Sequence, residues 1–282
     1  MVNKIYEKEK QIIMYDFLRN LLADKNTGFL TFEALGLCHI LYFLLIVGAI
    51  ILVLFLYKNK SGEDKNKLIN TTIILAFVLY VVDFFLMPFS YGYIDIDKLP
   101  FHLCTSMSIM CLLARRTKVL AKFKTAFTLM GFIGALAYIA YPVGVSSADG
   151  YSYRVVQTVL YHGLMVAHGV FAIAFKDLDL NWKTIKYDLI AILGLTVWAF
   201  IGNTLYSGVV TETCNCVEGC TNLVTVYSHD FNWFFVKHDA LYILDDTIDV
   251  YFAPFIMIVA IFGLCALVRF VGTKILEFVE KR

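Results

Sequence analysis

The sequence predicts an all-α fold, a polytopic membrane protein built as a bundle of about seven transmembrane helices. Three observations carry this. Of 282 residues, 60% are hydrophobic and only 17% are Asp, Glu, Lys or Arg, and the mean hydropathy is +0.72. A soluble domain carries more charge than that. The apolar residues also fall in blocks near the roughly 20 residues that cross a bilayer as a helix. The blocks are continuous rather than ten-residue alternating segments, and lipid offers a backbone no hydrogen bonds, so helices rather than a barrel are expected. A net charge of +1 leaves no basic face for nucleic acid. Membrane lipids are the expected partners, and no cofactor is expected.

Residues 1–33 carry charges throughout and no apolar signal-like core, so they are not expected to be a secretory signal. Ile5, Ile12, Ile13, Phe17, Leu21 and Leu22 recur at helical spacing between charged residues. That suits an amphipathic helix lying in the membrane interface, or a short solvated lead-in helix. The transmembrane domain covers 34–271, with spans expected at about 34–57, 69–89, 99–114, 124–141, 154–175, 187–207 and 249–271. The third and fourth are short for a bilayer. A long loop, 208–248, joins the last two, and a tail occupies 272–282.

Orientation follows from the basic residues. Loops 58–68, 115–123 and 176–186 and the tail hold most of the Lys and Arg, whereas the alternate loops hold Lys98, Lys237 and little else. Basic short loops stay in the cytoplasm. The expectation is a cell-membrane protein with its C-terminus cytoplasmic and its N-terminus outside. Loop 208–248 then lies outside, where its Cys214, Cys216 and Cys220 can form disulfides. Three is an odd number, so one is left over or pairs elsewhere.

An ionisable group inside a membrane is costly and is a functional-site hypothesis by default. Counted from the outer end of each span, His39, Asp83, His102, Cys104, His162 and Asn203 lie three to eight residues deep, and Asp249 stands at the mouth of the last span. At 1.5 Å per residue this is a layer about 5–12 Å below the outer surface. The inner half of the spans is expected to be almost free of such groups. Either the layer ties the bundle together by hydrogen bonds, or it lines a shared cavity.

Three chemistries fit the layer. Cys104 can attack an acyl carbonyl if a histidine takes its proton, and His162, on another span at similar depth, is the expected base. His102, two residues from Cys104, points elsewhere on a helix. Asp83, Gln157 or Asn203 can orient the histidine or donate to an oxyanion. Alternatively, His39, Asp83, His102 and His162 are residue types that hold zinc in a membrane hydrolase, although no short motif joins them. A transporter or receptor with a polar cavity is the third reading. Cys38, Cys111 and Cys265 read as inert small hydrophobes and His168 as a buried packing residue.

A resemblance then bears on the choice. Leu99–Ser106 reads LPFHLCTS, 132–142 reads FIGALAYIAYP, 157–164 reads QTVLYHGL and 202–206 reads GNTLY. In this order the segments, across roughly 70–260, resemble the YwaF-type bacterial integral membrane proteins and, more distantly, transmembrane protein 164. The resemblance implies acyl transfer between glycerophospholipids, or lipid hydrolysis, with Cys104 in the nucleophile position and His162 in the histidine position. The depth of the layer, near that of phospholipid ester carbonyls, suggests a substrate ester presented sideways from the outer leaflet, with Met107, Met110, Leu160 and Leu164 of the third and fifth spans expected to wall the acyl tail. The cysteine-bearing loop 208–248 departs from the family pattern.

Overall fold

The structure is a computed structural model. It describes residues 17–18, 21–22, 27–28, 30–90, 96–142, 148–208, 210–214, 224–228, 231–237 and 246–281, with the backbone alone at 88–90, 210–214, 224–228 and 246–250. The expected N-terminal amphipathic helix lies mostly outside these residues. So do Cys216 and Cys220, and the side chains of Cys214 and Asp249.

Seven helices account for the described chain: α1 Leu37–Tyr57, α2 Gly62–Ser90, α3 Leu103–Ala114, α4 Lys124–Ala140, α5 Tyr153–Ala174, α6 Ile185–Tyr206 and α7 Asp246–Glu280. All seven expected spans are present as helices, and the fold is an all-α polytopic bundle. Six are long and apolar enough to cross a membrane, α3 being the exception. Its 12 residues reach about 18 Å, against a hydrocarbon core of about 30 Å. The long loop adds a small antiparallel hairpin, β1 Val210–Cys214 with β2 Val224–Ser228, in register from Val210 opposite Ser228.

Helices α4 and α5 are the centre. They pack on each other, α5 also on α2 and α1, and α4 also on α3, α6 and α7. Burial and composition run in opposite directions. The apolar window of α5 is 72% buried and is the least apolar of the six long spans. The most apolar, α1, buries only Cys38, His39 and Ile50. A helix facing lipid has to be apolar, whereas one enclosed by protein does not. Close packing at the centre depends on small residues. A Cβ at Gly131 would come within 2.8 Å of Met165, and one at Gly169 within 2.6 Å of Phe132. Backbones in membranes approach in this way because lipid supplies no hydrophobic drive between helices.

Cross-helix contacts sort the helix termini into two ends. At the end carrying the basic loops, Arg115 closing α3 and Lys124 opening α4 both pair with Asp177 just past α5, and Arg115 also reaches Asn70 near the start of α2. At the opposite end, His39 near the start of α1 meets the Ile139 carbonyl near the end of α4. The helices therefore alternate in direction. The expectation that the half near the basic loops lacks buried polar groups is not borne out. Asp188 and Arg269, both with wholly buried side chains, form a two-pronged pair at 2.6 and 2.7 Å. His168 is also buried there, its Nδ1–H directed at the Ile69 carbonyl at 3.1 Å.

Candidate active site

Cys104 is the second residue of α3. His102, extended at φ −72 and ψ 152, ends the preceding turn and makes no side-chain cap bond. The Ser106 amide closes the first helical bond to the His102 carbonyl. The amides of Leu103, Cys104 and Thr105 therefore have no helical acceptor; that of Cys104 turns to its own thiol, and the other two have no partner among the described residues. The thiol thus sits on the positive end of a helix, among amides free to bind an oxyanion.

The approach to this helix is held by an aromatic stack. Phe231, Trp233, Phe101 and Trp198 lie face to face in series, with centroid separations of 4.2, 4.7 and 4.8 Å. Trp198 Nε1–H donates to the Pro100 carbonyl, and Ser106 Oγ–H to the same oxygen. Asn203 clamps the backbone of Trp233 from both sides, accepting its N–H at 2.9 Å and donating to its carbonyl at 3.2 Å. Trp233 Nε1–H donates to Asp97, which also takes His102 Nε2–H at 3.1 Å. Burial alone would raise the Asp97 pKa, but the bonds from His102 and Trp233, with the charge of Lys98, hold it below the usual carboxylate value.

Below this cap the cysteine meets α4. A Cβ built on Gly134 would stand 3.1 Å from Cys104 Sγ, so the absence of a side chain there is what admits the thiol. One turn further along α4, Tyr138 stacks flat on His162 at 3.9 Å and 10°. Tyr161, beside His162, donates its hydroxyl hydrogen to the Cys104 carbonyl at 2.9 Å. Two short paths, one through Gly134 and Tyr138 and one through Tyr161, thus join Cys104 to His162. No direct bond links thiol and imidazole among the described contacts. His162 Nδ1 lies 2.8 Å from the Thr158 carbonyl. A carbonyl only accepts, so Nδ1 carries the proton and Nε2 of the neutral ring keeps its lone pair, the form a general base needs.

The other polar residues of the layer lie at this end but serve separate tasks. His39 accepts the Leu35 amide at Nδ1 and donates from Nε2 to Ile139, so both ring nitrogens are engaged. Asp83 pairs with Lys98 at 3.3 Å, and Gln157 reaches the Leu79 carbonyl at 3.5 Å. His39, Asp83, His102 and His162 do not converge, and among the described residues no three His, Cys, Asp or Glu side chains gather as metal ligands. Met107 is buried against the Gly131 position rather than walling a groove, and Leu160 faces outward at 49% exposure. Sequence reasoning did not find Tyr138, Trp233 or Lys98. The spacing of Tyr138 four residues after Gly134 was the available signal for the first.

Residues 34–272 match the family described as the TMEM164 family. The chain belongs to the TMEM164 family. No curated protein and no solved structure matches it. The match covers all seven helices except the last turns of α7, and so includes Cys104, Tyr138 and His162. Membership agrees with a multi-pass protein whose exposed helix faces contact lipid.

Proposed function

We propose that this TMEM164-family protein is an intramembrane acyl-transfer enzyme acting on membrane lipids through Cys104 and His162. The observation that carries the reading is the uncapped start of α3. It leaves two uncommitted amides, those of Leu103 and Thr105, near the Cys104 thiol for the charge that develops on an attacked carbonyl.

In the first half-reaction, His162 Nε2 takes the Cys104 thiol proton, directly or through one water. The thiolate attacks a lipid ester carbonyl, and the carbonyl oxygen, now negative, is held by the first-turn amides. The ester C–O bond breaks, the leaving alkoxide takes the proton from His162, and the acyl chain remains on sulfur as a thioester. In the second half, a hydroxyl of another lipid or of water gives its proton to His162 and attacks the thioester, and the thiol is regenerated. A narrow apolar cleft of about 10 Å³ between α1, α4 and α5, lined by Phe43, Ile46, Tyr138, Ile139 and Val159, marks a seam that would have to part to admit the tail. Protein purified in lipid should take up an acyl-reactive probe and turn over phospholipid. Cys104→Ala should abolish both. Undiminished turnover in that variant would remove Cys104 from the chemistry.

A further inference from the structure

The end of the bundle away from Cys104 contains a cavity of about 290 Å³ between the 121–123 turn and the starts of α4 and α6. Its charged lining is Lys122, Lys124, Arg269, Asp177 and Asp179. Most of these charges are committed elsewhere. Asp177 takes Arg115 and Lys124, and Arg269 is spent on Asp188, the Asp179 and Asn181 carbonyls and Thr184. Asp179 is exposed and accepts the Asn181 amide. Lys122 forms no ion pair among the described residues, and its ammonium stands 5.4 Å over the Phe123 ring. Lys124 uses one proton on Asp177 and keeps two. Tyr187, packed edge-on against Phe123, brings a hydroxyl with no hydrogen bond among the described residues.

We infer that this cavity is a binding site for a phosphate group of net negative charge, held by Lys122, Lys124 and Tyr187. Uncommitted donors outnumber acceptors in the lining. Segment 115–124 adds Arg116 and Lys118 without one acidic residue, so the field around the opening is positive. The helix starts mark the membrane boundary, where headgroup phosphates lie, and basic pockets between helices at that level hold anionic headgroups. The volume suits a headgroup rather than a whole lipid. The exposed Leu189 and Leu193 on α6 offer a surface for its chains. The site is separate from Cys104 and does not depend on the proposed acyl transfer.

The test uses the full chain in phosphatidylcholine nanodiscs. Its thermal midpoint is followed as phosphatidylglycerol is mixed into the bilayer or inorganic phosphate is added to the buffer. Either probe should raise the midpoint saturably and lose effect as salt is raised. A response to phosphatidylglycerol alone identifies a lipid headgroup, and an equal response to inorganic phosphate identifies a free phosphate. Lys122→Gln, at an exposed position, should weaken the apparent affinity about tenfold, Lys122→Arg should restore it, and Cys104→Ala should leave it unchanged. No shift with either probe, or an undiminished shift in Lys122→Gln, overturns the assignment.

Discussion

At the scale of single residues, the site rests on a space and a tautomer. The space is the missing side chain at position 134. Alanine there would place a Cβ 2.8 Å from Leu103 and 3.1 Å from Cys104 Sγ, so either α3 shifts or the thiol turns away. Gly134→Ala should cost about 1–3 kcal/mol of stability, the usual toll of overpacking. It should lower probe labelling of Cys104 more than an equally destabilising change at a remote glycine. Matched thermal-melt and labelling measurements separate the two effects. The tautomer is set by the Thr158 carbonyl. His162→Gln removes the base but retains a polar group, and should leave Cys104 far less reactive toward acyl probes near neutral pH while alkylation at high pH persists. Loss of both reactivities would indicate a collapsed site instead. Little of this local geometry was legible in sequence beyond the four-residue spacing of Gly134 and Tyr138. The pairing of Cys104 with His162 followed from depth and resemblance, but an aromatic such as Tyr138 inside a span looks like any other lipid-facing or core ring.

At the scale of elements, α3 is a short helix whose start is anchored from outside itself. Its leading turn is tied to α6 through Trp198 and Pro100, to the 233–235 turn through Asp97, and to α2 through the Tyr80 hydroxyl on the Lys98 carbonyl. The Asp97 carboxylate is part of that anchor. Its folded pKa is depressed, so its contribution to stability is present above the ordinary value of 3.8 and is lost as pH falls through the lower folded value. Acid titration should shift Trp233 emission below about pH 4. Asp97→Asn should remove that titration, and an unchanged titration would place its origin elsewhere. Helix existence and order were readable because a lipid-crossing helix writes a long apolar run. The 208–248 hairpin was not, because ordinary loop residues can pair without any such run.

At the scale of the whole molecule, the bundle has a polar knot at each end. The knot at the basic end is the one the sequence concealed. Asp188 and Arg269 stand 81 positions apart near span termini, where charges read as ordinary loop charges. In the structure they are wholly buried and pinned to each other. Removing one partner leaves an uncompensated buried charge, so Asp188→Ala should destabilise by about 3–5 kcal/mol. Asp188→Ala combined with Arg269→Met should recover much of that loss in a thermal melt. The basic loops also predict the topography. Single cysteines near Ser61 should resist a membrane-impermeant maleimide in intact cells, and those near Thr221 should react or prove disulfide-linked. The reverse pattern would invert the protein in its membrane.

The opposed gradients of burial and apolarity bear on how the chain enters the bilayer during synthesis. The translocon releases segments sideways according to their own affinity for lipid. Helix α1 meets that standard with most to spare and α5 with least, whereas the half-length α3 does not meet it, because its final surroundings are other helices. Insertion of the middle of the protein is therefore a cooperative act. The short α3 then depends on the helices made after it for its enclosure, and α5, the least apolar long span, gains most from α6 and α7. Chains halted before α6 should leave α5 only partly integrated, as glycosylation-site mapping on stalled nascent chains can read. The two groups proposed to carry the chemistry, on α3 and α5, would then come together only after the last helix has been made.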